Sequence, residues 1–147
     1  MKSIALLSNK KKELLLGTIF LTINVVFYIF SADNATFIEG ADASQYYGPA
    51  ISLLQDGGFR AGPGVEFSTM GTPLYSILLA IPIGIFGIDH SSLAIIFIQC
   101  FLLYLTGIIT RKFSIVFLKK ESFLLHSLII FNPNSLITAH LVQTETL

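Results

Sequence analysis

The feature that most constrains this chain is residues 14–31, which contain no charged side chain. As a helix this run would reach about 27 Å, close to the hydrocarbon thickness of a bilayer. It follows Lys2, Lys10, Lys11 and Lys12, and lysines flanking a span are retained in the cytoplasm. We therefore predict a membrane span at about 14–31 with a cytoplasmic N-terminus. A cleavable signal peptide is the alternative, but the apolar run is longer than a usual signal core and no small-residue cleavage site follows it.

The composition also favours an integral membrane protein. Hydrophobic residues make up 53% of the 147 residues and charged residues 12%, whereas soluble domains have about 25% charged residues. The formal net charge is zero, so no basic surface predicts a nucleic-acid partner, and membrane lipid is the expected surrounding. The single cysteine, Cys100, lies in an apolar run and is expected to be a buried, inert thiol.

Three further apolar stretches follow, and charge decides how each is interpreted. Residues 73–88 are short and contain Pro82, so we predict a helix at the outer membrane face, interfacial or re-entrant. The second span is then 92–110, running inward, and the third is 123–142, running outward. This path leaves the cations after the second span in the cytoplasm, in accord with the positive-inside bias; they are Arg111, Lys112, Lys119 and Lys120. The predicted fold class is an all-α, polytopic membrane bundle of about three spans with outer-face juxtamembrane helices, in a multi-pass cell-membrane protein.

The outer loop, 32–91, contains a second predicted juxtamembrane helix at about 43–56. Tyr46, Ala50, Leu53 and Leu54 fall on one face of that helix. Asp42, with Gln45 three residues later, is typical of an N-cap with its capping-box partner. Gly57 and Gly58 are expected to end the helix.

Two carboxylates, Asp42 and Glu145, would lie on the same outer side in this topology. One such acid can act as general base for an incoming hydroxyl while another orients a donor or a cation. Simpler interpretations stay open: Asp42 as a helix cap, Glu145 as a solvated residue, and Tyr46 as an interfacial anchor. Asp56, beside two glycines, is expected to stabilise a turn.

The order of these parts resembles the N-terminal region of GT-C membrane glycosyltransferases, nearest to the aminoarabinose-transferase and protein O-mannosyltransferase-like group. The resemblance covers about residues 12–147. It rests on an Asp-x3-Tyr-x3-Ala-x3-Leu-x2-Gly spacing in the outer loop, a Pro-led helix ending in Phe-Gly, and a later Thr-Glu. These residues are Asp42, Tyr46, Ala50, Leu54 and Gly57, then Gly71 to Tyr75 with Phe86 and Gly87, and Thr144 with Glu145.

The resemblance implies that Asp42 is the catalytic carboxylate and that the donor is a sugar on a polyprenyl phosphate. The acceptor would be extracytoplasmic. Tyr46 and Glu145 are the matching substrate-binding candidates, and Arg60 joins them as the one Lys or Arg in the outer loop. No His/Cys metal spacing is present, and whether a divalent cation takes part is left open.

Family members are several hundred residues long, and this chain ends at Leu147 with no charged anchor after the last apolar run. We therefore expect it to be the N-terminal part of a longer enzyme, inactive alone because it has few cations to hold a lipid phosphate. The alternative is a small polytopic membrane protein without enzymatic activity, such as an assembly or transport subunit.

Overall fold

The computed structural model of the chain describes residues 9–31, 43–64 and 73–140. Within these ranges the chain is helical and has no strand, which confirms the all-α part of the predicted fold class. A short 3-10 turn, Ile88–His90, precedes the longest helix. The helices are α1 (Asn9–Ser31), α2 (Ala43–Gln55), α3 (Pro73–Phe86), α4 (Ser92–Leu118), α5 (Phe123–Ile130) and α6 (Pro133–Thr138).

Two of these helices, α1 and α4, are long and apolar enough to cross a membrane. In the most apolar 18-residue stretch of each helix, the buried share is 11% for α1 and 33% for α4. The core helix of a soluble protein would be mostly buried. Large apolar side chains instead stand exposed along both helices, among them Phe30 on α1 and Phe97 and Phe113 on α4.

The helices α1 and α4 pack antiparallel. Near the start of α1, Glu13 pairs with Arg111 at 3.3 Å. Further along, Asn24 accepts a hydrogen bond from the thiol of Cys100 at 3.1 Å. The start of α1 and the end of α4 therefore lie together, and we call this the basic end. Its cations are Lys10, Lys11, Lys12, Arg111, Lys112, Lys119 and Lys120. We call the opposite end, where α4 begins at Ser92, the loop end.

Helix α4 continues well beyond 110, the limit predicted for the second span. A cation commonly marks the end of a membrane helix, but Arg111 is 4% exposed and paired with Glu13, so the helix continues past it. It ends after Leu118, where Lys119 adopts a left-handed conformation with φ of 58°. The Oγ of Ser114 then accepts the N–H of Ser122 at 2.8 Å and holds the turn into α5.

The stretch predicted as one span at 123–142 is two short helices. The side chain of Asn132 accepts the N–H groups of Asn134 and Ser135, and so caps α6. Pro133 is the first residue of α6, where its missing N–H costs nothing. The carbonyl of Ile129, four residues before Pro133, is not left free, because it accepts the N–H of Asn132 at 3.4 Å. The Asn-Pro pair therefore divides the stretch.

Helices α2 and α3 pack side by side, in parallel, near the loop end. Tyr46 lies against Tyr75 near the start of α3, and Leu54 lies against Gly84 near its end. The predicted apolar face of α2 is largely confirmed, since Ala50 is fully buried and Tyr46 is 8% exposed, although Leu54 at the margin is 47% exposed. Helix α2 ends at Gln55, and the positive φ of Gly57 confirms the predicted stop.

Helix α4 joins two apolar cores through neighbouring residues on different faces. Ile95 packs with α2 and α3, in a core that includes Tyr46, Leu79 and Ile83. Ile96 packs with α1, α5 and α6 in the second core. The pair α2–α3 is therefore attached to the bundle through the first third of α4.

Helix α3 lies alongside α4; it does not cross over the end of α4. Gly87, with φ of 76°, and the 3-10 turn reverse the chain between the two helices. The hydroxyl of Tyr75, in the first turn of α3, accepts a hydrogen bond from the side-chain amide of Gln99. Gln99 lies about 10 Å along α4 from Ser92 at 1.5 Å per residue. The starts of α2 and α3 are therefore level with the interior of α4.

Candidate functional site

The predicted catalytic residue Asp42 and the predicted substrate-binding residue Glu145 lie outside the described residues, so both assignments stay predictions. The helix that follows Asp42 in the sequence is described from its first residue, Ala43, which is 4% exposed. The environment of that helix start is therefore what the structure contributes to the candidate site.

The start of α2 is fixed by a chain of aromatic and polar contacts. The ring of Tyr46 meets the ring of Tyr75 edge to face, with centroids 5.1 Å apart. Tyr75 is bonded to Gln99 of α4, and all three side chains are buried. Tyr46 is therefore a packing residue that connects α2 to α4. Its predicted contact with substrate is a further role that stays a prediction.

The predicted substrate-binding residue Arg60 is half-buried in the loop that follows α2. Asp56 shapes this loop by accepting the N–H of Gly64 at 3.1 Å, which fits the turn role expected for it. The loop also folds back along α2, because a Cβ on Gly48 would lie 1.9 Å from the carbonyl oxygen of Ala61. Arg60 is thus held on a compact loop against α2.

An apolar crevice of about 640 Å³ runs between α3 and α4. Its walls include Ile85 on α3 and Phe97 on α4, and His90 lies at its rim near the loop end. It is a candidate site for an apolar chain.

A second group of polar residues lies at the basic end, around Arg111. The guanidinium meets the Glu13 carboxylate through Nη2 and stacks on the ring of Phe123, with Cζ 4.6 Å from the ring centroid. Lys12 approaches the same ring, with Nζ 5.6 Å from the centroid. The Nε and Nη1 atoms of Arg111 are buried and have no hydrogen-bond partner among the described residues. One cation thus connects α1, α4 and α5.

His126 is the other buried titratable residue of this region. It is fully buried, its ring lies 5.1 Å from that of Tyr104, and neither ring nitrogen has a partner within the described ranges. The ring fits because Gly107 has no side chain: a Cβ there would lie 2.4 Å from Cδ2 of His126. The hydroxyl of Tyr104 donates to the backbone carbonyl of Glu13 at 3.3 Å.

At the loop end, His140 closes the bundle against α1. It is 2% exposed, its Nδ1 lies 2.9 Å from the carbonyl of Leu136, and its ring centroid lies 4.7 Å from that of Phe27. It is a buried contact between α1 and the end of α6.

Sequence reasoning missed the group at the basic end. Arg111 was counted only as a cytoplasmic flanking charge, and Glu13 was given no role. Two signals could have indicated them: an acid directly before an uncharged span, and a histidine, His126, in the apolar run Phe-Leu-Leu-His-Ser-Leu-Ile-Ile. By contrast, the buried thiol expected for Cys100 is confirmed.

Within the described ranges, no group of three His, Cys, Asp or Glu residues could hold a metal ion. Comparison of the sequence with models of known protein families finds no match, and neither curated proteins nor solved structures give one.

Proposed function

We propose that this chain forms part of an integral-membrane glycosyltransferase that moves a sugar from a polyprenyl-phosphate donor to an extracytoplasmic acceptor. In this proposal Asp42 is the base or positioning group for the acceptor hydroxyl, and Arg60, Tyr46 and Glu145 bind substrate. The observation that carries the proposal is the attachment of α2, the helix that directly follows Asp42, to the long apolar helix α4.

That attachment supports a catalytic role because reacting groups need a fixed geometry. The first turns of α2 are tied through Tyr46 and Tyr75 to Gln99, about 10 Å along α4 from Ser92. A carboxylate next to the start of α2 can reach a donor that stays in the membrane. Ionisable groups at membrane depth are costly in lipid, and those that are present usually have a functional role.

The crevice between α3 and α4 supports the donor class. A polyprenyl chain is wholly apolar, and the crevice of about 640 Å³ is lined mainly by apolar side chains from the two helices. It lies on the same pair of helices, α3 and α4, that holds the start of α2.

The antiparallel packing of α1 and α4 supports the proposed membrane path. Lys10 and Lys119 lie at the basic end, whereas Arg60 and Asp89 belong to the segments at the loop end. With the basic end in the cytoplasm, as the positive-inside bias favours, the outer loop meets the extracytoplasmic acceptor.

Substitution of Asp42 tests the function. In the full-length protein in its membrane, Asp42→Asn should lower transfer by roughly 10²- to 10⁴-fold, because the amide cannot accept the hydroxyl proton. Asn remains a good N-cap, so membrane insertion and protein amount should stay unchanged. Asp42→Ala removes cap and base together and should also cost about 1 kcal/mol of stability.

Asp89→Asn is the matched control, since Asp89 is an exposed acid in the 3-10 turn and should leave transfer unchanged. If Asp42→Asn keeps most of the activity while Asp42→Ala loses it, Asp42 is a helix cap and the proposed mechanism is refuted. A full-length protein that transfers no sugar from any polyprenyl-phosphate donor would favour a non-enzymatic membrane subunit.

A further inference from the structure

A groove of about 560 Å³ lies between α1 and α4 on the surface of the bundle, at the basic end. Along α1 its lining runs from Lys10 to Leu21, which is about 16 Å at 1.5 Å per residue. That length is close to half the hydrocarbon thickness of a bilayer, about 15 Å. The groove is therefore about as long as the hydrocarbon part of one leaflet is thick.

The lining changes from polar to apolar along this length. Lys10, Glu13 and the Tyr104 side chain form the mouth, and Leu14 and Leu21 line the body. Part of the floor is Gly17, where a Cβ would lie 3.0 Å from the Tyr104 hydroxyl; Gly17 leaves room between the two helices. A charged mouth over an apolar body matches a lipid headgroup above its acyl chain.

The charge at the mouth is positive once the ion pair is counted. The Glu13 carboxylate is neutralised by Arg111 at 3.3 Å. The other described carboxylate at this end, Glu121, accepts a hydrogen bond from Asn9 at 3.4 Å and does not line the groove. Lys10 is then the charge of the lining that has no ion-pair partner among the described residues, and the basic end carries six further cations. The favoured headgroup is therefore an anionic phosphate.

We infer that the α1–α4 groove binds one anionic glycerophospholipid, with its phosphate at Lys10 and an acyl chain along Leu14 and Leu21. This inference requires α1 to lie in the membrane but does not depend on glycosyl transfer. The lipid covers Gly17, against which the Tyr104 hydroxyl packs, and ties the start of α1 to α4.

The absence of tryptophan from the chain allows a direct test. Leu21→Trp introduces one fluorophore at the apolar end of the groove, and Ile19→Trp introduces one at similar depth on the opposite face of α1, where Ile19 is 41% exposed.

Each variant is reconstituted in vesicles of phosphatidylcholine with a minor fraction of phosphatidylglycerol. The bromine label is placed on the acyl chains of one lipid or the other. Brominated phosphatidylglycerol should quench Trp at position 21 more than its share of the total lipid predicts. It should quench Trp at position 19 only in proportion to that share.

Two lysine variants then test the headgroup contact. Lys10→Gln, in the Leu21→Trp background, should lower the preference for phosphatidylglycerol about fivefold, the effect of one cation at an anionic surface. Lys11→Gln removes the neighbouring charge, which does not line the groove, and should leave the preference at position 21 nearly unchanged.

Three results would overturn the inference. Proportional quenching at position 21 by both lipids would mean that the groove does not select a headgroup. Equal excess at positions 19 and 21 would place the lipid around α1 generally and not in the groove. An equal loss in Lys10→Gln and Lys11→Gln would assign the preference to diffuse surface charge.

Discussion

Removing the Glu13 carboxylate should destabilise the bundle more than removing its partner, Arg111. Glu13→Gln leaves a guanidinium that is 5% exposed, with only the Phe123 ring against its charge. Breaking a fully buried ion pair costs about 3–5 kcal/mol. Since the Glu13 side chain is 39% exposed, water offsets part of this, and we expect about 2 kcal/mol.

The reciprocal substitution should be milder. Arg111→Met fills the same space with an apolar chain and leaves a carboxylate that water can reach, so we expect a loss below about 1 kcal/mol. The double variant, Glu13→Gln with Arg111→Met, should resemble Arg111→Met alone, because no buried charge is left unpaired. The coupling energy of the cycle should then be about 2 kcal/mol in magnitude, the full cost of Glu13→Gln alone.

The single buried thiol provides the assay. Cys100 lies on α4, packs against α1 and donates a hydrogen bond to Asn24, so its rate of labelling reports the separation of the two helices. Labelling across an SDS titration in mixed micelles gives the unfolding free energy of each variant. Lys112→Gln, an exposed neighbour of Arg111, is the control and should change nothing. If Arg111→Met costs as much as Glu13→Gln, or if the two losses add in the double variant, the reasoning about an unpaired buried cation fails.

Three further predictions concern other parts of the chain. In a variant lacking the native cysteine, a cysteine at Lys119 should be labelled only from the cytoplasm and one at Asp89 only from outside; a probe that reaches position 119 from outside would reject the membrane path. Gly48→Ala should cost about 1–3 kcal/mol in the thiol assay, because its Cβ would meet the carbonyl of Ala61 at 1.9 Å, and an unchanged midpoint would show that the loop can move away. His126→Leu should raise stability by about 1 kcal/mol or more, since both ring nitrogens are buried without a partner in the described chain, and a loss would reveal a hydrogen bond to that ring.

Local signals in the sequence were sufficient for the helices near the loop end. The bounds of α2 follow from its apolar face and from Gly57, whose left-handed conformation suits glycine at a helix end. The long helices follow from stretches that lack charge. The division of α5 from α6 could also have been found, because Asn132 followed by Pro133 is a typical helix start.

The end of α4 and the group at the basic end could not be found in this way. Whether Arg111 ends a helix or continues it depends on Glu13, a partner 98 positions away in the sequence. The position of α3 beside α4 also depends on a long-range contact, since the Tyr75 hydroxyl is hydrogen-bonded to Gln99, 24 positions later. Of the candidate site residues, Tyr46 and Arg60 are described, and Asp42 and Glu145 remain predictions from the sequence.

The contacts of α1 also bear on the order in which the chain assembles. Its hydrogen bonds and ion pair described above join it to residues at least 76 positions later, beginning with Cys100. On the proposed membrane path, α1 leaves the ribosome long before any of these partners has been synthesised, so it would enter the bilayer as an independent helix. The pairing of α2 with α3 closes a much shorter loop and can form first. Glu13 thus stays without its counter-charge until Arg111 has been translated, and docking of α1 follows the insertion of α4.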